Sequence, residues 1–75
     1  MELLDTPNPN AKKILLNDVA KDTIMKSESE ITENLHKLNG VASVFFGPGF
    51  VTVIKNESTD WEEINQDIIN IFDKL

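Results

Sequence analysis

Gly40-Val41-Ala42-Ser43-Val44-Phe45-Phe46-Gly47-Pro48-Gly49-Phe50-Val51-Thr52-Val53-Ile54-Lys55 decides the fold of this chain. Two runs rich in β-branched and aromatic residues flank Gly47-Pro48-Gly49, the pattern of a β-hairpin. Helix is a poor alternative, because Pro48 would cost about 3 kcal/mol in a helix interior and each glycine about 1 more. A two-residue loop at Pro48-Gly49 puts Val44, Phe46, Val51 and Val53 on one face and Phe45, Phe50 and Ile54 on the other. Phe45 and Phe46 are consecutive, so one ring must look away from the core that the other enters.

Helical signals flank the hairpin. Ser27-Glu28-Ser29-Glu30 carries the spacing of a capping box and predicts a helix that opens at Ser27. Ile31, Leu35 and Leu38 then form one apolar stripe, and Asn39-Gly40 supplies a residue suited to the left-handed turn after a helix. Thr59 and Glu62 repeat the capping pattern before the last helix, with Asp60 and Glu63 near its positive end and Lys74 near its negative end. Its stripe is Trp61, Ile64, Ile68, Ile71, Phe72 and Leu75, with Trp61 as a core anchor.

Toward the N-terminus, Leu3 and Leu4 suggest a short first strand stopped by Pro7 and Pro9, and residues 12–16 a second. Asn17-Asp18 reads as a turn, and residues 19–26 as turn plus a strand over 23–26. The order β-β-(β)-α-β-β-α implies an α+β fold. It is a two-layer sandwich, an antiparallel sheet of about four strands covered on one face by two helices.

Seventy-five residues make a single domain, 1–75, expected to bury only ~60% of the surface that its unfolded chain exposes. Lys and Arg number 7 against 13 Asp and Glu, a net charge of −6 that argues against nucleic acid and anionic membrane surfaces. No apolar run approaches the ~20 residues of a membrane span, and no signal or transit segment is visible at Met1. The expected location is a bacterial cytoplasm, or a mitochondrial matrix after removal of a presequence. A monomer is the expectation.

Catalytic chemistry finds no support. His36 is the single histidine and there is no cysteine, so His36 makes a poor zinc site and packing on or near the surface is its expected role. No nucleophile-base-orienter set is found, since one histidine would have to serve every serine and threonine. The carboxylates Glu28, Glu30, Asp60, Glu62 and Glu63 sit at expected helix starts, where the macrodipole favours them. Two surfaces are candidates for partner binding. Phe45 and Phe50 would form an open aromatic face, unless the N-terminal segment folds over them. Thr6-Pro7-Asn8-Pro9-Asn10 can act as a preformed contact loop, since fixed φ angles lower the entropy lost on binding, or as a structural corner between two strands. Gly49 would supply the positive φ of the hairpin turn without any ligand.

The same residues resemble the N-terminal domain of the Nfu iron-sulfur cluster scaffold proteins. The hairpin is similar to the family's G-V-x-S-V-F-F-G-P-D-F-I-T-V. Thr6-Pro7-Asn8-Pro9-Asn10 with Lys13 is similar to its T-P-N-P-N-x-x-K-F, and Asp60-Trp61 to its D-W. Gly49, Ile54 and Lys12-Lys13-Ile14 depart from the pattern, as does a shortened middle segment. The resemblance implies a two-layer α+β domain and a non-catalytic interaction module of iron-sulfur cluster assembly or delivery. Its partners would be assembly proteins or apo client proteins. It also implies that the [4Fe–4S] cluster belongs to a separate cysteine-bearing domain or partner, because clusters are held by thiolates that this chain lacks. The alternative is a structural accessory domain reused in proteins unrelated to cluster transfer.

Overall fold

A computed structural model describes residues 3–16 and 21–74. The elements are β1 (Leu4–Asp5), β2 (Ala11–Leu15), α1 (Lys21–His36), β3 (Val41–Gly47), β4 (Phe50–Lys55) and α2 (Trp61–Asp73). One antiparallel sheet has the order β1-β2-β4-β3, and both helices pack on one side of it through a shared core. The α+β two-layer architecture is therefore as the sequence predicts, without the additional strand.

The hairpin has the expected register. Gly47 pairs with Phe50, Phe46 with Val51, Phe45 with Thr52 and Val44 with Val53, so Pro48 and Gly49 are the whole loop. Gly49 has φ 78°, and proline followed by a positive-φ glycine is the signature of a type II turn. Its carbonyl accepts the amide of Leu16 at 2.9 Å, tying the turn to the end of β2. A register shift at Val41/Ser43 sets Ala42 apart as the irregular residue of β3.

Ile14 and Leu16 of the β2 region, Val51 and Val53 of β4, Ile31 and Leu35 of α1, and Ile64, Ile68 and Phe72 of α2 form the buried core. These are the expected stripes of both helices, with Trp61, Ile71 and Leu38 partly buried at the margin. Leu75 and the Asn17-Asp18 turn lie outside the described residues.

Three expectations are corrected. Residues 23–26 are helical, not a strand, because α1 begins at Lys21. Thr23 and Ile24 read as β-formers, yet Ile24 packs against the same core as Ile31 and Leu35, which extend its phase at helical spacing. Tertiary burial here outweighs local propensity. Ser27 and Glu30 consequently lie inside α1 and cap nothing. The cap of α2 falls one residue later than expected, at Asp60, whose amide donates to Glu63 Oε2 at 3.2 Å. Thr59 instead packs against Gly40, where a Cβ would stand 2.6 Å from Thr59 Cγ2. α1 ends at His36, and Leu38, Asn39 and Gly40 form the turn into β3, with Gly40 at φ 113°.

Candidate partner-binding surface

Alternation along each strand divides the sheet into two unlike faces. Val44, Phe46, Val51, Val53, Ile14 and Leu16 look toward the helices. Phe45, Phe50, Thr52 and Ile54 share the opposite face with Lys13 and Leu15 of β2, which pair with Thr52 and Phe50. Leu4 of β1 joins them opposite Lys13. β1 lies at the edge of the sheet beside β2 and does not fold over the rings. No described element covers this face, where Phe45 is 57% and Leu15 45% exposed.

Phe45 and Phe50 differ in their surroundings. Phe45 stands free, whereas Phe50 is half-buried because its ring lies across Gly47, where a Cβ would come 2.4 Å from Phe50 Cζ. Gly47 thus provides the gap that the tip of the Phe50 ring occupies. Lys13 Nζ stands 5.8 Å from the centroid of the same ring, within cation-π range. Among the described residues the face is largely apolar, with the cation Lys13 on its β2 side. Sequence reasoning missed Lys13 and Leu15 as members of this face. The alternation of Lys13 and Leu15 with inward Ile14 and Leu16 was the available signal.

Thr6-Pro7-Asn8-Pro9-Asn10 lies at another edge of the molecule and is heavily stapled. Thr6 Oγ1 stands 2.8 Å from the Ala11 carbonyl, to which it can donate, and accepts the Asn8 amide at 3.2 Å. Asn8 Oδ1 accepts the Asn10 amide at 3.0 Å, an Asx turn. Across the sheet, the Lys55 amide donates to the Asn10 carbonyl at 2.8 Å and Lys55 Nζ to Asn10 Oδ1 at 3.0 Å. Trp61 Nε1 donates to the Pro9 carbonyl at 3.0 Å, and Lys12 Nζ lies 5.4 Å from the indole centroid and 3.4 Å from Asp5 Oδ1. Trp61 therefore anchors the loop to α2 rather than filling the core centre. The loop, Asp5, Ala11, Lys12 and Trp61 line a shallow depression of about 410 Å³. The structure does not bring the loop together with Phe45 and Phe50.

No group of three His, Cys, Asp or Glu capable of holding a metal occurs among the described residues, and His36 stands exposed in the last turn of α1. With no thiolate in the sequence, these residues do not fit an iron-sulfur cluster. No described helix is long and apolar enough to cross a membrane.

A two-layer α+β domain with one open sheet face and a stapled proline loop is the class that these features define. The chain matches the family described as "Scaffold protein Nfu/NifU N terminal" over residues 1–75 and belongs to it. It is 38% identical over 73 residues to the human "NFU1 iron-sulfur cluster scaffold homolog, mitochondrial", covering 85% of this chain and 29% of that protein. It is 32% identical over 78 residues to "Conserved virulence factor C" of Staphylococcus aureus, covering 91% of this chain and 21% of that protein. A solution NMR structure from Staphylococcus epidermidis superposes with a TM-score of 0.64 at 26% identity, covering 99% of this chain and 94% of that one. The chain thus spans less than a third of the curated relatives named here.

Proposed function

We propose that this chain is a non-catalytic docking module of iron-sulfur cluster assembly or delivery. It meets cluster-bearing proteins or apo clients through the open sheet face and leaves the cluster to thiolates on another domain or partner. One observation carries the reading: Phe45, Leu15 and Phe50 form an apolar face that no described element covers, in a chain whose family is a scaffold's N-terminal part. Thr6, Pro7, Asn8, Pro9 and Asn10 serve as a second, rigid contact, preformed by their hydrogen bonds to Lys55 and Trp61. The module acts as a monomer, in a cytoplasm or a mitochondrial matrix.

A second reading is favoured by the staphylococcal relative, whose name carries no reference to clusters. In it, the domain is an accessory reused beside unrelated regions. NMR titration of the labelled chain separates the two. The ligands are a cysteine-bearing Nfu-type domain, a cysteine desulfurase complex and an apo client. Amide shifts at Phe45, Phe50, Lys13 and the Thr6 loop support docking; no shift with any of the three overturns it.

A further inference from the structure

We propose that the outer edge of β3, beneath the overhanging flank of α1, accepts an extended, basic segment of a partner protein as an added strand. The proposal goes beyond the open-face reading, because it concerns the rim of the sheet and a different mode of contact. β3 is the last strand of the sheet, and among the described residues nothing pairs with its far side. A two-residue loop closed by Gly47 and Phe50 makes that pair a hydrogen-bonded one, so by alternation Val44 and Phe46 turn their backbone groups outward. Edge strands of this length are ordinarily guarded by lysine, proline or an inward charge. β3, Val-Ala-Ser-Val-Phe-Phe-Gly, has no charge at all and carries its irregularity only at its start.

α1 packs over β3 and fixes which of its side chains overhang the free edge. Thr23, Ser27, Glu30 and Asn34 of α1 line the cleft against Ile71 and Lys74 of α2. At about 100° per residue, Met25 falls on the opposite flank, above the free edge of the strand on which α1 packs. Met25 is 75% exposed. Glu28 has nearly the phase of buried Leu35 yet is exposed, which places it over the rim rather than the sheet interior. Val44 and Phe46 face the helices and pack against the core, but are only partly buried. An added strand would cover Val44, Phe46 and Met25 with one set of alternate side chains and Phe45 with the other. Exposed Glu28 on α1 and the net charge of −6 select lysine or arginine on the incoming segment. The same charge disfavours a second copy, since two such edges would bring like-charged molecules together.

The test uses the whole labelled chain and a capped octapeptide alternating valine and lysine, with a valine-glutamate counterpart as control. Bound peptide should protect the Val44 and Phe46 amides from hydrogen exchange, leave the Thr52 amide unshifted, and bind more tightly than the acidic control. Glu28→Lys, a surface change that leaves folding intact, should cut affinity for the basic peptide by about two- to fivefold. Val44→Pro should abolish binding, because proline removes the outward donor while an edge strand tolerates it; should that variant fail to fold by circular dichroism, Glu28→Lys decides. The proposal is overturned by absent protection at millimolar peptide, by shifts confined to Lys13 and Thr52, by unchanged affinity in Glu28→Lys, or by a dimer that seals β3 against itself. Failure at β3 with shifts retained on the open face would leave the docking reading standing.

Discussion

Gly40 and Gly47 are both sites where a side chain meets a wall, but the walls differ. At Gly40 the backbone lies at φ 113° and a Cβ would stand 2.6 Å from Thr59 Cγ2. Gly40→Ala should therefore cost about 1–3 kcal/mol through backbone strain and contact together, read as a lowered urea midpoint with an unchanged slope. At Gly47 the φ is ordinary and the obstacle is the tip of the Phe50 ring, which can swing away. Phe45 tests the open face at the same scale. Phe45→Asp replaces a 57% exposed ring, so the fold should survive within ~0.5 kcal/mol while titration with partners goes silent. A denatured Phe45→Asp chain would show that the ring is needed for packing and would remove it as a docking residue.

At the scale of elements, the two helix starts make opposite predictions for similar sequences. Ser27-Glu28-Ser29-Glu30 has the spacing of a cap but lies within α1, so Ser27→Ala should be neutral or slightly stabilising by helix propensity. Glu63→Ala should cost about 0.5–1.5 kcal/mol, because Glu63 Oε2 accepts the Asp60 amide at the real start of α2. Thermal melts of the pair check the assignment, and a loss from Ser27→Ala as large as that from Glu63→Ala would contradict it. The comparison also shows what was legible. Val44, Val51 and Val53 alternate cleanly and a proline-glycine turn fixes their register, so the hairpin could be read from local pattern alone. The start of α1 could not, since Thr23 and Ile24 favour strand locally and only contact with Ile31, Leu35 and the sheet makes them helical. The candidate surface divides similarly. Phe45 and Phe50 follow from period two, whereas Lys13 joins them only through pairing of β2 with β4, a contact far apart in sequence.

For the whole molecule, charge and burial are separated by layer. Asp22, Glu28, Glu30 and Glu33 lie on α1, and Glu62, Glu63, Asp67 and Asp73 on α2, while among the described residues Lys13 is the charge on the opposite face of the sheet. On the docking reading proposed above, the helices carry the acidic charge and the sheet face supplies the apolar contact. So small a domain has stability expected near the low end of ~5–15 kcal/mol, and both helices depend on one core. Ile68 is fully buried between α2 and the sheet, whereas Leu15 is 45% exposed on the open face. Ile68→Ala should cost about 2–5 kcal/mol, enough to consume much of the total, because a core this thin has few neighbours to close the cavity. Leu15→Ala should leave stability within ~0.5 kcal/mol. Urea unfolding of the two variants measures the difference directly. Equal losses would mean that the open face is packed in solution, and a loss below about 1 kcal/mol at Ile68 would mean that the helices resettle over the sheet.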